Sequence, residues 1–481
     1  MTTVVFVHGW SVTSTATYGA MPQRVQEAAS AAGLPLILRD LWLSEYVSFD
    51  DTVTMGDLVR AFDRALRDLH LATGSFACIT HSTGGPVVRE WLRAQRDKPG
   101  SYSTIRLSHL VMLAPANFGS ALAKLGKGTL GRLKAWFDGV EPGRRILDWL
   151  ELGSAASLSL NLDHIHGTDP AAHGQYQFVL TGDRPDRSLY DHLNSYTGED
   201  GSDGVVRIAS ANLNARHAVL AVPGGSRGAT ADGLSLSLLR GPRCAFKLIA
   251  GASHSGHDQG ILAAAAPATV DAIVRCLRVN DAAAYAALCD AFDAENRARD
   301  ADKVELEPVG PFAPRVHIHD PRSMLVLRLT DESGEPLIGA GFLFTAGPEA
   351  SLDQLPAGFL SDRQANSADP CTITLFLNHA LLAGDARVPD PRNPRRTLRP
   401  VVASHRPYGA RVQPADLTGL VHHALAASAA DEDLFALFGP HETTVLDVVL
   451  PRKVHQGVFR LTQELAPQDF RHPDPGPVIA G

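Results

Sequence analysis

Short apolar runs alternate with amphipathic segments over residues 1–280 of the chain. The runs are typical of strands buried on both faces, and the segments between them repeat their apolar residues with the period of an α-helix. This alternation predicts an α/β fold, a mainly parallel sheet with helices on both faces. The predicted strands are 4–7, 36–38, 75–80, 110–113, 178–180 and 246–249, and the predicted helices include 21–32, 58–69, 87–92 and 270–277.

Apolar and basic residues are interleaved over 121–160, after the fourth of these strands. The pattern predicts one or two amphipathic helices inserted into the sheet fold. We interpret them as a helical cap over an apolar site, and additional core helices are the alternative.

The character of the chain changes near residue 291. Residues 291–315 are rich in charge and then in proline, which is typical of a linker. The segments that follow are strand-like and predict a C-terminal, all-β, sandwich-like domain over 316–481. We therefore expect a first domain over 1–290 and a second over 316–481. The strand-like runs of the second domain are 316–318, 324–329, 341–345, 372–377, 443–450 and 458–461.

The chain has 481 residues, which is more than one compact core holds, so we expect two domains. Its 44% hydrophobic and 20% charged residues are typical of globular proteins. The net charge of −8 gives no electrostatic footprint for nucleic acid, so we expect no nucleic-acid partner. Five scattered cysteines without CxxC spacing favour a reducing compartment over a disulfide scaffold.

The N-terminus, MTTVVFVHGW, has no basic segment and no small-residue cleavage site. Runs of about 18 apolar residues, as a membrane-spanning helix needs, do not occur. These features predict a cytoplasmic location, although a leaderless export route would leave no mark on the sequence.

The string ITHSTGGPVV, residues 79–88, carries the clearest chemical signal. A buried strand ends at Thr80, Ser82 follows in a tight turn, and a helix begins near Gly84. This is the setting of a nucleophile elbow, in which a strained turn presents a serine hydroxyl above the edge of the sheet. The motif is T-x-S-x-G, because Thr80 stands where glycine is usual.

A second motif, VVFVHGW at residues 4–10, is an apolar strand followed by His-Gly and a turn. Such a loop can present a backbone N–H to a substrate oxygen. We predict that the amides of Trp10 and Thr83 form an oxyanion hole, which would stabilise the negative charge of a tetrahedral intermediate.

The two motifs and their order resemble those of the α/β-hydrolase superfamily, and of its bacterial lipases and serine esterases in particular. The resemblance covers about residues 1–280. It implies that the catalytic residues follow in the order serine, acid, histidine.

The acid implied by the resemblance is Asp203, since Asp203-Gly-Val-Val is similar to the segment that holds the acid in such lipases. Asp200 and Asp183 are the alternatives. The implied histidine is His254, in the string A-S-H-S-G after the last strand, and His257 is the alternative.

These residues predict a serine-dependent hydrolase of carboxylic esters that works through an acyl-enzyme intermediate. The apolar segment 121–160 favours a lipid-like or other apolar substrate and a contact of this segment with lipid surfaces. A phospholipase, an acyltransferase and a non-catalytic binding protein of the same fold are the alternatives. For the C-terminal domain, the sequence does not choose between lipid-surface docking, binding of a protein partner and a scaffolding role, and it identifies no particular partner.

Two histidine pairs, His164 with His166 and His317 with His319, have the spacing that would place both rings on one face of a strand. Neither pair comes with a cluster of carboxylates or cysteines, so we expect no metal site. Some lipases of the resembled type carry a structural calcium, but the sequence identifies no ligands for one. Phosphate-binding glycine motifs in the required context are also missing, and we expect no cofactor.

Overall fold

The computed structural model describes most of the chain. The described residues are 2–8, 18–48, 50–71, 74–97, 105–126, 143–185, 200–221, 235–255, 259–262, 267–307, 314–338, 341–347, 351, 353–384, 387–399, 407–413, 423–424 and 437–450. The strand predicted at 458–461 lies outside them.

The strands in chain order are β1 (Thr2–His8), β2 (Leu36–Trp42), β3 (Phe76–His81), β4 (Leu107–Leu113), β5 (Tyr176–Gly182), β6 (Arg216–Ala221), β7 (Ser235–Arg240), β8 (Ala245–Ile249), β9 (Val304–Glu307), β10 (Arg315–Ile318), β11 (Arg322–Asp331), β12 (Gly341–Ala346), β13 (Leu360–Ala365), β14 (Thr372–Asn378), β15 (Pro389–Asp390), β16 (Asn393–Thr397), β17 (Pro407–Gln413), β18 (His423–Ala424) and β19 (Thr443–Leu450). The helices are α1 (Met21–Ala31), α2 (Met55–Asp68), α3 (Gly84–Arg96), α4 (Leu122–Gly126), α5 (Arg144–Leu150), α6 (Ala155–His166), α7 (Ile208–Ala211), α8 (Pro267–Leu277), α9 (Ala282–Ala301) and α10 (His379–Leu382).

The first sheet consists, in the described residues, of six parallel strands in the order β2-β1-β3-β4-β5-β8. Its central strands are mainly apolar because both faces are covered. One face packs against α2 and α3, and the other packs against α1, α8 and α9. The predicted α/β fold is confirmed, and the six predicted strands are the six strands of this sheet.

A second sheet is mixed, with the strand order β13-β14-β11-β19-β6-β7. The β-rich C-terminal part predicted from the sequence is therefore confirmed. The set of strands in this sheet differs from the prediction, since β6 and β7 come from residues 216–240, inside the predicted first domain. β6 pairs in parallel with β19, more than 200 residues further along the chain. A boundary drawn along the sequence cannot anticipate such a pairing.

Both faces of the second sheet are buried at its centre, as strand β11 illustrates. Leu325 and Leu327 pack in a cluster with Phe344 of β12, which lies in a small sheet of β12, β17 and β18. Met324 and Val326 face the other way and join a cluster with residues of the first half of the chain, among them Phe118. The second sheet is thus packed directly on the first unit.

The linker predicted over 291–315 is mostly regular structure in the described residues. Helix α9 runs through it to Ala301, and β9 and β10 pair as an antiparallel hairpin. Part of the high charge is paired with neighbouring elements, since Glu295 of α9 pairs with Lys247 of β8 and Arg275 of α8. A helix with many charged residues resembles a linker in its sequence when the residues that pair with these charges are distant along the chain.

The described parts of the predicted cap, 121–126 and 143–160, are largely packed into the core. Helix α5 buries Ile146, Leu147, Trp149 and Leu150 in the cluster that also covers the first sheet. The segment also contacts the second sheet, since Lys124 Nζ donates to Ala365 O at 2.7 Å. Residues 127–142, with much of the predicted basic character, lie outside the described residues. Within the described residues, no helix is both long and apolar enough to span a bilayer.

The partly buried His379 is expected to make the stability depend on pH. Burial, with help from His441 and Arg216, lowers the pKa of His379 to about 4. Between pH 4 and 6.5, the unfolded chain therefore binds more protons than the folded chain. The contribution of neutral His379 to the free energy of unfolding is complete above pH 6.5 and is lost as the pH falls towards 4. Because of His379, we expect the free energy of unfolding to fall by about 1 kcal/mol when the pH is lowered from 7.5 to 5.5.

Urea unfolding of the wild type and of His379→Gln at these two pH values measures this term. The variant should lose less stability on acidification. A substitution of the exposed His173 by glutamine serves as the control. Equal pH dependence of the wild type and His379→Gln would contradict the assignment.

Candidate active site

Ser82 occupies the turn between β3, which ends at His81, and α3, which begins at Gly84. Its φ of 53° lies in the left-handed region, which is strained for a residue with a side chain. The Ser82 amide donates to Leu113 O at 3.0 Å, at the end of the neighbouring strand β4. The turn therefore has the geometry of a nucleophile elbow, with Ser82 at the carboxyl edge of the first sheet.

The unusual Thr80 is tolerated because of the glycine at 84. A Cβ at Gly84 would lie 3.3 Å from Thr80 Cβ and 3.7 Å from Val7 O, so a larger residue would crowd the turn. The fully buried Thr80 hydroxyl has no hydrogen-bond partner in the structure described. The threonine thus fills the space beneath the elbow as an apolar group would.

The structure brings Ser82, His254 and Asp203 into one hydrogen-bonded series. His254 Nε2 lies 3.1 Å from Ser82 Oγ, and His254 Nδ1 lies 2.9 Å from Asp203 Oδ2. Asp203 is fully buried, and the exposed fraction of His254 is 4%. The His254 amide also donates to Asp203 O at 2.9 Å, so backbone and side chain hold the same pair together.

The other carboxylates considered from the sequence have different partners. Asp183 Oδ1 accepts from the Gly251 amide at 2.7 Å, and its Oδ2 pairs with Arg299 of α9. Asp200 is partly exposed and lies 3.7 Å from His319 Nδ1. Of the three acids, Asp203 is the one that contacts His254. The alternative histidine, His257, lies outside the described residues.

Asp203 is held by its own loop. Its Oδ1 accepts from the amides of Val205 and Val206 at 3.0 and 2.7 Å, which leaves Oδ2 for the imidazole. The next residue, Arg207, is 1% exposed, pairs with Asp362 of β13 and lies with its guanidinium 4.3 Å from the centre of the Phe376 ring. The second sheet therefore supports the acid loop directly.

His81, beside the serine, is a site residue that the sequence analysis did not single out. Its Nε2 lies 3.0 Å from His254 O, and the two rings are 4.8 Å apart. Burial and the neighbouring imidazole lower the pKa of His81 to about 3, so it is neutral at physiological pH and donates this hydrogen bond. The string H-S in the elbow motif was its only signal in the sequence.

The predicted oxyanion donors are described in part. Thr83 directly precedes the first turn of α3, so its amide stands at the positive end of that helix. Trp10 lies outside the described residues. Below the elbow, the buried Tyr18 hydroxyl donates to Val7 O at 2.8 Å and lies 3.4 Å from Ile79 O, which joins the carboxyl ends of β1 and β3.

The two histidine pairs do not form metal centres in the described residues, where no group of three metal-binding side chains is found. His164 and His166 lie on helix α6, not on a strand, so they point in different directions: His164 is buried and His166 contacts His217 at 2.7 Å. His317 lies on β10 and contacts Glu307 of β9, and His319, directly after β10, contacts Glu305 of β9.

Chemically, the arrangement matches a nucleophile, a general base and an orienting acid. The imidazole is within reach of the Ser82 proton, and the buried carboxylate fixes which ring nitrogen carries hydrogen. The hydroxyl lies at the edge of the sheet where ligands bind in open α/β folds. Such a site can transfer an acyl group.

One solved protein resembles almost the whole chain, and others resemble part of it. The phospholipase PlaB from Legionella pneumophila is 37% identical in sequence, with 97% of each chain covered and a TM-score of 0.81. The same phospholipase in complex with thio-NAD is 36% identical over 98% of each chain, with a TM-score of 0.79. The mature lipase BlEst2 from Bacillus licheniformis is 18% identical over 44% of this chain and 79% of its own, with a TM-score of 0.32. No family model and no curated protein sequence matches the chain.

Proposed function

This chain belongs to the family of the phospholipase PlaB from Legionella pneumophila, and we propose that it hydrolyses carboxylic esters of lipids, phospholipids in particular, through an acyl-enzyme on Ser82. The hydrogen-bonded series Ser82–His254–Asp203 is the observation on which the proposal rests. The sequence favoured lipid esters in general, with a phospholipase as one alternative. The relative with 37% identity is a phospholipase, and this supports phospholipids as the proposed substrate.

In the first half of the reaction, Ser82 Oγ bonds to the acyl carbonyl carbon while His254 Nε2 takes the hydroxyl proton. The carbonyl oxygen becomes an oxyanion, which the amides of Thr83 and Trp10 are proposed to stabilise. When the carbonyl reforms, the bond to the leaving alcohol breaks and His254 returns the proton to that alcohol. Asp203 stabilises the imidazolium throughout.

In the second half, water takes the place of the alcohol. His254 removes one proton from the water as its oxygen attacks the acyl carbon, and the bond to Ser82 Oγ then breaks as the proton passes to the serine. The products are a free fatty acid and the regenerated enzyme. An alcohol in place of water would make the same site an acyltransferase.

A panel of esters tests the proposed substrate. Release of fatty acid from phosphatidylcholine vesicles, emulsified triacylglycerol and p-nitrophenyl butyrate is measured with the wild type and Ser82→Ala. We expect the highest kcat/KM on the phospholipid and a rate at least about 10⁴-fold lower in the variant. Release from triacylglycerol alone would refute the phospholipid preference, and a rate of the variant close to that of the wild type would refute the role of Ser82.

The buried Arg207 is proposed to be a positioning residue that holds the Asp203 loop against the second sheet. We expect Arg207→Met to lower kcat by about 10–100-fold with little change in KM, because small displacements of a catalytic group cost factors of this size. Asp362→Asn should lower kcat by a smaller factor. The asparagine oxygen can still accept a hydrogen bond from the Arg207 guanidinium, but the negative charge is lost.

The matched control is Arg328→Met, since Arg328 also lies on the second sheet but pairs with Asp447. Its kcat should stay close to that of the wild type. Steady-state kinetics on p-nitrophenyl butyrate and circular dichroism of the three variants are the measurements. An unchanged kcat in Arg207→Met would show that the loop needs no support from Arg207.

A further inference from the structure

His81 ends strand β3 and directly precedes Ser82 in the chain. Its backbone pairs with Leu113 of β4, so the residue belongs to the hydrogen-bonded ladder of the first sheet. Its Nε2 lies 3.0 Å from the backbone oxygen of His254, 173 residues further along the chain. A carbonyl oxygen can only accept a hydrogen bond, so His81 Nε2 carries the hydrogen and donates it. The strand that presents the nucleophile therefore also contacts the residue that would serve as its base.

His254 makes three other hydrogen bonds in the described structure. Its amide donates to Asp203 O at 2.9 Å, its Nδ1 lies 2.9 Å from Asp203 Oδ2, and its Nε2 lies 3.1 Å from Ser82 Oγ. The contact with Ser82 is the one that the proposed reaction uses, so three bonds remain to hold the residue in place. Two of them go to Asp203, and two fixed points leave a rotation about the line that joins them. The bond from His81 supplies the third point.

The segment that carries His254 is a turn and not a strand or a helix. It follows β8, which ends at Ile249, and Gly251 within it has a φ of 74°, in the left-handed region. Loops hold a functional group less precisely than the strands of a sheet do. A hydrogen bond from the end of β3 therefore gives this turn a support that the sheet itself fixes.

His81 contributes a hydrogen bond and not a charge. Burial and the neighbouring imidazole of His254 lower the pKa of His81 to about 3, so the ring is neutral at physiological pH. The centres of the two rings are 4.8 Å apart. A charged His81 at this distance would oppose the imidazolium that forms on His254 in the proposed reaction, because like charges disfavour each other. The neutral ring holds the base without this cost.

We propose that His81 is a positioning residue, which fixes the distance between Ser82 and His254 by holding the His254 backbone from the end of β3. The inference rests on the proposed function, because it assigns a role in the same acyl transfer. His81 and Ser82 are adjacent, so a displacement of the turn moves the nucleophile and the donor together. Loss of the donor should therefore slow the proton transfer and leave the binding of the ester unchanged.

Two amide substitutions separate the position of the donor from the mere presence of a polar group. Glutamine places its Nε2 about where the histidine Nε2 stands, whereas the asparagine side chain is too short to do so. On p-nitrophenyl butyrate, we expect kcat to fall by about 10–100-fold in His81→Asn and in His81→Phe, with little change in KM. His81→Gln should recover most of the lost kcat. Labelling of Ser82 by a fluorophosphonate probe should slow by a similar factor in His81→Phe, because it depends on the same activated hydroxyl.

The matched control is His109→Phe. His109 lies near the start of β4, towards the opposite edge of the sheet, and its Nε2 lies 2.7 Å from Val279 O. This variant loses the same kind of hydrogen bond away from the candidate active site, so it should have a lower Tm and an unchanged kcat. Circular dichroism shows whether each variant folds, and the comparison of the two amides stands even if His81→Phe does not fold.

The pH dependence of kcat/KM is a further measurement that a purely structural role would not explain. The midpoint of its acid limb reports the pKa of the base. It should stay unchanged in His81→Gln, because one neutral side chain replaces another. A higher midpoint would show that His81 carries a positive charge beside His254, and it would overturn the role of a neutral donor.

The kinetic results distinguish this inference from the proposed function. An active wild type with an equal kcat in His81→Phe, or with equal losses in His81→Gln and His81→Asn, would overturn the positioning role alone. A wild type that hydrolyses no ester would overturn the proposed function, and the inference with it.

Discussion

Ser82→Ala is expected to lower kcat for ester hydrolysis by about 10⁴–10⁶-fold, because it removes the atom that bonds to the acyl carbon. His254 and Asp203 keep their mutual hydrogen bond in this variant, but no acyl-enzyme can form. The residual rate would reflect binding and the oxyanion donors alone. Initial rates on p-nitrophenyl butyrate, at enzyme concentrations high enough to detect such a loss, measure the effect.

Stability measurements separate this chemical effect from misfolding. Ser82 has a φ of 53°, and alanine keeps the strain of that conformation whereas glycine relieves it. Ser82→Gly should therefore be more stable than Ser82→Ala by about 1 kcal/mol, although both are inactive. Ser159→Ala, at an exposed position of α6, is the control that should keep full activity. Comparable rates for Ser82→Ala and Ser159→Ala would refute the nucleophile assignment.

Asp203→Asn should lower kcat by about 10⁴-fold without a large change in structure. The amide fits the space of the carboxylate, but it cannot stabilise the imidazolium of His254. The amides of Val205 and Val206 already donate to Oδ1, so the asparagine oxygen takes that position and its NH₂ faces His254 Nδ1. This arrangement favours the ring tautomer with hydrogen on Nε2, which cannot accept the Ser82 proton.

The two other acids weighed in the sequence provide matched controls for this prediction. Asp200→Asn changes a partly exposed carboxylate and should leave kcat within about twofold, as expected for a surface group. Asp183→Asn weakens the contact with Arg299 and should lower stability more than kcat. A loss of activity in Asp200→Asn as large as that in Asp203→Asn would contradict the choice of acid.

The strands and helices of the first sheet could be predicted because their signals are local. The apolar runs at 4–7 and 246–249 are buried on both faces, and the face of α2 shows the helical period directly. The signal for the elbow at Ser82 was also local, since the turn requires small residues within a few positions of the serine. These features depend on residues within one or two turns of each other.

The assembly of the second sheet could not be predicted in the same way. The sequence analysis did not identify strand β6, and its partner β19 lies more than 200 residues away. A separation of 155 residues likewise hid the pairing of Arg207 with Asp362, and the role of Arg207 becomes visible only when Asp362 and Phe376 are placed beside it. Contacts between residues that are far apart in the sequence do not produce a local pattern of hydrophobic residues from which they could be predicted.

The most direct measurement is the reaction of the full chain with a fluorophosphonate probe, followed by mass spectrometry of its peptides. Such a probe bonds to a serine oxygen that an adjacent base has activated. We predict one stoichiometric adduct on Ser82 in the wild type and a labelling rate at least 100-fold slower in His254→Ala. An unlabelled Ser82, or an adduct on another serine with ester hydrolysis intact, would contradict the account.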